Sequence, residues 1–260
     1  MRSKKTIKIL IALCTVAVVA TSFGLSREIY VRSQGRSFYA TVLAGVSTRN
    51  IAQIPSQGTG AGGAVAGGAE AGLPWIPYVD FYALQEALPG IRAWIVADGT
   101  VINYPVMQWT DNDFFLSHLP DGTRNIMGSI FLDYRNCPHF TDQNSVIYGH
   151  HMRSGDMFGQ LEFYRDQAFF DRHPTIALYT PERDYTIEVF AGYIADATRE
   201  TIPVTFSDIS HFEEYIAQAR RRSVIDSDVE VSTSDRLVTL VTCVHTSAHA
   251  RFILVGRLVY

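Results

Sequence analysis

Cysteine and concentrated positive charge are both scarce in this sequence. The 260 residues include three cysteines, and no two of them form a CxxC pair, which excludes a disulfide-rich scaffold and the usual cysteine frameworks of structural zinc. The net charge is -4, and no long basic run follows the N-terminal MRSKK. The electrostatic footprint of nucleic-acid binding is therefore missing, and we expect no nucleic acid among the partners.

Charged side chains are also absent from residues 9–25, which follow a positive segment at residues 1–8. A positive segment followed by an apolar run is typical of a signal peptide or of a retained membrane anchor. The run is longer than the roughly 7–15-residue core of a signal peptide, which favours the anchor. We therefore predict a single-pass transmembrane segment at residues 9–25, with residues 1–8 in the cytoplasm and the remainder outside the cell.

Residues 55–72 are rich in glycine and alanine and carry almost no charge. Such a composition has little to bury, so it predicts a flexible tether or, equally, a disordered insertion. Either interpretation places a domain boundary here. We expect an extracellular stalk over residues 26–77 and a folded domain over residues 78–260.

Short helices are expected at residues 111–118 and, one or two of them, at residues 154–173, and helical periodicity supports two more in the folded domain. Apolar residues at helical spacing predict a short helix over residues 81–88. Residues 210–222 predict a longer helix, in which Ser210 and Glu213 fit a capping box and arginines fill the last turn.

Most of the remaining domain consists of short apolar segments separated by turn signals. Asp98-Gly99 is a strong hairpin signal, and residues 181–184 predict a second turn between two strands. Most connections are too short for the crossover helices of a parallel sheet. The pattern therefore predicts a mainly antiparallel β-barrel with helical insertions.

The segment TLVTC places Cys243 at the end of one predicted strand, and Arg251 opens the next. Two antiparallel strands joined by so short a loop place both residues at the same end of the sheet, so they can flank one pocket. A thiol beside a guanidinium is suited to nucleophilic chemistry, since a nearby cation favours the thiolate.

Other roles for Cys243 remain open on this reasoning. The thiol can be a small buried hydrophobe, or one half of a disulfide with Cys137. It can also be a metal ligand together with His245 and His249, although no further ligand pair completes a tetrahedral site.

A nucleophilic thiol also requires a base, and the sequence offers the pair His150-His151 directly after a predicted strand and Gly149. The glycine frees the backbone to turn a ring toward a cleft. Chemistry alone does not distinguish the two histidines.

Taken together, these motifs resemble the sortases. TLVTC with the following Arg251, the upstream YGHHM, and the segments DNDFFLSH and GSIFLDYRN look most like class B sortases over residues 78–260. The resemblance implies an eight-stranded sortase β-barrel with an N-terminal helix. It implies catalytic roles for Cys243, His150 and Arg251, and it makes Val241 and Thr242 the candidate substrate-binding residues. Val241 stands where class B members often carry serine.

The resemblance implies a cysteine transpeptidase without cofactor or metal. Such an enzyme cleaves a C-terminal sorting motif of a secreted protein after threonine and forms a thioacyl-enzyme. It then transfers the protein to an amine of peptidoglycan or its precursor, on the outer face of a Gram-positive membrane. The alternatives are a pilin polymerase that uses a lysine amine, a membrane-anchored cysteine protease, an inert binding module and a metal-binding domain.

Overall fold

A computed structural model describes residues 2–46, 79–196, 200–243 and 250–260 of the chain. The predicted tether at residues 55–72 lies outside the described residues, as do His245 and His249.

The described helices and strands follow the predicted order closely. The α-helices are α1 (Arg2–Val46), α2 (Phe81–Ala87), α3 (Gln167–Arg172) and α4 (Ile209–Arg222), with 3₁₀ turns at Phe114–Leu116 and Gly159–Arg165. The strands are β1 (Ile91–Val96), β2 (Asn103–Met107), β3 (Ile130–Leu132), β4 (Asn144–Gly149), β5 (Thr175–Tyr179), β6 (Asp184–Asp196), β7 (Arg236–Cys243) and β8 (Ala250–Val259). Both predicted hairpins are present, β1–β2 and β5–β6.

The strands close into a barrel in the order β1-β2-β3-β4-β7-β8-β6-β5, and β5 returns to pair with β1. Two of these pairings are parallel, β2 with β3 and β4 with β7. The prediction of a mainly antiparallel barrel with helical insertions is confirmed. Neither parallel pair is joined by a tight turn, since residues 108–129 connect β2 to β3 and almost ninety residues separate β4 from β7, so turn signals carry no information about these pairings.

Strand β7 is buried on both of its faces. Val238 and Leu240 point into the barrel core, whereas Leu237 and Val241 join an outer cluster that Phe212 of α4 covers. Burial on both faces explains why β7 lacks the clean polar–apolar alternation of a half-exposed strand.

Helix α4 begins one residue earlier than predicted, and its cap differs. The carboxylate of Asp208 accepts a hydrogen bond from the backbone N–H of His211 at 2.9 Å, which makes Asp208 the N-cap. The predicted capping box of Ser210 and Glu213 is therefore wrong, because an acceptor two residues upstream already satisfies the first turn.

Helix α1 is continuous from Arg2 to Val46, and its C-terminal part packs on the barrel through buried side chains such as Tyr39 and Val46. The sequence predicts a transmembrane segment at residues 9–25. Within the part of the chain that the structure describes, no helix is both long and apolar enough to cross a membrane.

Candidate active site

Strand register brings the three predicted catalytic positions to one end of the barrel. Cys243 is paired with Arg251 across the antiparallel strands β7 and β8. On the other side of β7, the parallel strand β4 pairs Gly149 with Thr242, so His150 follows directly beside Cys243. Neighbouring strands lie about 4.8 Å apart. The backbones of these three residues therefore lie side by side on adjacent strands, although the side chain of Cys243 lies outside the described part.

The ring of His150 is half-buried and fixed by a backbone acceptor. Its Nε2 lies 2.6 Å from the carbonyl oxygen of Leu116. Because a carbonyl only accepts hydrogen bonds, Nε2 must carry a proton. Nδ1 is then the nitrogen that can take up or release a proton during a reaction.

His151 occupies a different environment from its neighbour. Its side chain is 6% exposed, and its Nε2 lies 3.2 Å from a carboxylate oxygen of Glu162. The side chains of His151 and Glu162, together with residues of the segment that follows His151, line an open cavity of about 1070 Å³. The structure thus gives the two histidines different partners, a distinction that the sequence motif alone does not make.

A buried polar network lies beside β4, and Tyr148 near the C-terminal end of the strand joins it. The carboxylate of Asp133 is fully buried, and it accepts hydrogen bonds from Arg135 at 2.7 and 2.9 Å and from Asn112 at 3.0 Å. The hydroxyl of Tyr148 donates to the same carboxylate at 3.2 Å. Tyr148 is two residues before His150, so the network supports the strand end that carries the histidine.

The electrostatics of this network have identifiable causes. Burial would raise the pKa of Asp133, but the hydrogen bonds from Arg135 and Asn112 outweigh it, so the pKa of Asp133 is lowered. Burial, followed by the negative charge of Asp133, raises the pKa of Tyr148 to about 12, while the positive charges of Arg135 and then Arg251 act in the opposite direction.

Sequence patterns do not reveal this network in advance. The only signal is a carboxylate and a guanidinium two residues apart, directly after a buried strand. Neither has a spacing relation to Tyr148 or Asn112 that a periodicity could detect.

The two candidate substrate-binding residues are buried beneath the site. Val241 packs in the outer cluster under α4. The side chain of Thr242 is also buried, and its hydroxyl has no hydrogen-bond partner among the described residues. Contact of either residue with a substrate stays a prediction.

The disulfide interpretation of Cys243 is excluded. Cys137 is a free thiol, and its backbone N–H binds Asp142 just before β4 begins. That end of β4 pairs with Leu237 at the start of β7. Cys243 is six residues further along the strand, about 20 Å away. The metal interpretation depends on His245 and His249, which lie outside the described residues.

A cysteine, a histidine and an arginine side by side at one end of a closed barrel form the arrangement expected of a thiol-based acyl-transfer enzyme. Comparison with known proteins identifies the particular family. A family model described as the sortase domain matches residues 95–259. The chain is 36% identical over 178 residues to Sortase B of Listeria monocytogenes, covering 68% of this chain and 72% of that protein. It is 32% identical over 181 residues to Sortase B of Staphylococcus aureus, covering 69% and 74% respectively.

Solved structures agree with this relationship. A Staphylococcus aureus sortase B–substrate complex matches with a TM-score of 0.66 at 31% identity, covering 69% of this chain and 84% of that chain. Clostridium perfringens sortase B matches with a TM-score of 0.67 at 32% identity, covering 70% and 100% respectively. The chain belongs to the sortase family, class B, and is a cysteine transpeptidase of the cell-wall sorting type.

Proposed function

We propose that this transpeptidase cleaves a C-terminal sorting motif of secreted proteins after threonine and transfers the acyl group to an amine of peptidoglycan or its precursor. The observation that supports the proposal most is the strand register, which sets Cys243 opposite Arg251 on β8 and beside the strand that leads to His150.

In the proposed reaction, the Cys243 thiolate attacks the carbonyl carbon of the threonine. The electrons of the C=O bond move to oxygen, and a tetrahedral oxyanion forms. Arg251 donates charge-assisted hydrogen bonds to this oxygen or to the neighbouring substrate backbone.

His150 donates the proton needed in the first half-reaction and accepts the proton released in the second. With Nε2 held by Leu116, Nδ1 donates a proton to the departing amine as the C–N bond breaks and a thioester remains on Cys243. An incoming primary amine then attacks the thioester, and Nδ1 accepts its proton. The thiolate leaves, and the enzyme returns to its starting state.

The proposed partners are proteins that carry a sorting signal and an amine acceptor of the cell wall. One similar sortase B structure contains a substrate, and another is a complex with triglycine. These complexes support a peptide donor and a short glycine amine as the first molecules to test on this chain.

Attachment to the extracellular face of a Gram-positive membrane is also part of the proposal. It rests on the basic residues 1–8 followed by the uncharged residues 9–25. Fractionation of cells that express the full chain, before and after replacement of residues 9–25 by a cleavable signal peptide, tests it. Release of the enzyme into the medium only after the replacement is the expected result.

The central test of the reaction uses the full-length chain, a library of sorting-signal peptides, and triglycine or a lysine side-chain amine as acceptor. We expect a peptide fragment on Cys243 by intact-protein mass spectrometry, no such adduct in Cys243→Ala, and a product that carries triglycine. Preference for the lysine amine would indicate a pilin polymerase. Release of the acyl group to water with both acceptors present would indicate a protease.

A further inference from the structure

Helix α1 is bound to the connection between β2 and β3 (residues 108–129) by two hydrogen bonds. The buried hydroxyl of Tyr39 donates to the carbonyl oxygen of Gly128 at 2.7 Å. The side-chain amide of Asn125 donates to the carbonyl oxygen of Val31 at 2.8 Å. A Cβ on Gly35 of α1 would stand 2.6 Å from the sulfur of Met127, so the helix and the connection are in close contact between these two bonds.

The same connection holds the ring of His150. Leu116 supplies the carbonyl that binds Nε2, and Gly128 lies beside the adjoining ring carbon, Cδ2. A Cβ on Gly128 would stand 3.1 Å from Cδ2 of His150 and 2.6 Å from the carbonyl oxygen of Phe115. Gly128 has a φ of +58°, which favours glycine. Any shift of Gly128 therefore reaches the imidazole directly.

A second contact of α1 reaches the chain on the far side of His150. Arg36 binds the carboxylate of Asp156, with Nη2 at 2.7 Å and Nε at 3.1 Å from the same oxygen. Asp156 is two residues before Phe158, whose N–H donates to the backbone carbonyl of His150 at 3.0 Å. Helix α1 thus contacts both segments that hold His150, one at the ring and one at the backbone.

We propose that Tyr39 and Arg36 of α1 are positioning residues for His150, so that docking of this helix sets the imidazole in its working orientation. The inference rests on the proposed function of His150. Within the described parts of the chain, neither side chain forms a hydrogen bond with His150 or Arg251, so both would act through the two connections. Burial raises the pKa of Tyr39, so its hydroxyl keeps its proton and remains a donor across the working pH range.

The first test is Tyr39→Phe, which removes one hydroxyl and keeps the ring. The matched control is Tyr82→Phe on α2, because the Tyr82 side chain is 80% exposed. Both variants are compared with the native full-length chain by steady-state kinetics on the best sorting peptide. The ring nitrogens of His150 are followed by NMR, with the signals assigned through His150→Gln.

We expect Tyr39→Phe to lower kcat by about 3- to 10-fold and to leave KM for the peptide unchanged. The variant loses the one hydrogen bond from Tyr39 to Gly128, and a fall of this size corresponds to the energy of one hydrogen bond. We also expect a changed Nε2 chemical shift, because the bond to Leu116 loosens. Tyr82→Phe should alter neither quantity. A lower Tm for Tyr39→Phe with native kcat and native His150 signals would show a purely structural role and overturn the proposal.

The second test reverses the ion pair. Arg36→Asp and Asp156→Arg should each lower kcat, and the double variant should recover most of the loss, since the reversed pair can form again. If both single variants keep the native kcat, or if the double variant is no better than the worse single variant, Arg36 has no positioning role.

The NMR measurement separates this inference from the proposed reaction. If the native chain neither acylates nor transfers any peptide, the proposed function fails. The Nε2 signal of His150 still reports whether Tyr39 and Arg36 fix the ring. An unchanged Nε2 signal in both Tyr39→Phe and Arg36→Asp would refute the inference whether or not the enzyme is active.

Discussion

Replacement of the buried Asp133 by asparagine should destabilise the protein by an amount that depends on pH. The carboxylate is fully buried and accepts two hydrogen bonds from the guanidinium of Arg135. Breaking a buried pair by removing one partner costs about 3–5 kcal/mol. The side chain of Arg135 is 37% exposed, so water can solvate the remaining cation, and we reduce the expected loss to about 2–3 kcal/mol.

The pH dependence follows from the direction of the Asp133 pKa. That pKa is lower in the folded protein than in the unfolded chain. The carboxylate therefore contributes its full stability above its unfolded pKa of about 3.9, and the contribution disappears as pH falls through the lower folded value. Asparagine cannot titrate. The stability difference between native protein and Asp133→Asn should be largest near pH 7 and should shrink below about pH 4.

Urea denaturation at pH 7, 5, 4 and 3 measures this difference directly. At pH 7 the loss corresponds to a fall in Tm of roughly 4–12 °C for a chain of this size. Asp228→Asn is the matched control, because Asp228 is exposed, and it should change stability by less than about 0.5 kcal/mol. A destabilisation of Asp133→Asn that is equally large at pH 3 and pH 7 would refute the assignment of the effect to the buried charge.

Three further predictions concern the site and the core. His150→Gln should lower the acyl-transfer rate by about 10²- to 10⁴-fold in the peptide assay, whereas His151→Gln should keep most of it, and equal losses would contradict the assignment of the base. Arg251→Lys should lower kcat by at least about tenfold, because lysine cannot reproduce the paired hydrogen bonds of the guanidinium. Cys243 of this variant should still react with a small thiol reagent, and native activity would exclude a role of Arg251 in oxyanion binding. Phe212→Ala should cost about 3–5 kcal/mol in urea denaturation, because Phe212 fills the cluster between α4 and β7, and a loss below about 1 kcal/mol would show that α4 is not essential to the core.

Local chemistry was sufficient to predict most elements of the fold. Asp98-Gly99 predicts the β1–β2 hairpin because few residues other than glycine adopt the required backbone conformation, and Gly99 has a φ of +75°. The cap of α4 was placed wrongly, because Ser210 and Asp208 are both good acceptors and only the three-dimensional path of the chain selects between them.

Long-range relations account for what the sequence did not predict. The parallel pairing of β4 with β7 depends on strands almost a hundred residues apart. The contact of Tyr39 with Gly128 likewise joins two segments with no common motif. Resemblance to a family supplied the distant relation between Cys243, His150 and Arg251, and the strand register places these positions together, while their catalytic roles stay a prediction. The network around Asp133 belongs to no such motif and became visible only in three dimensions.

The parallel pairing of β4 with β7 has a consequence for when the enzyme becomes active. His150 and Cys243 belong to different strands about ninety residues apart, and the entropy lost in closing a loop of that length is compensated only once the barrel closes. In the proposed mechanism, the thiol before that point has neither its base nor a fixed guanidinium, so it reacts as an ordinary cysteine. Chemical reactivity is thus an acquired property of the finished barrel, and a chain that is still folding cannot acylate itself or its neighbours by this mechanism.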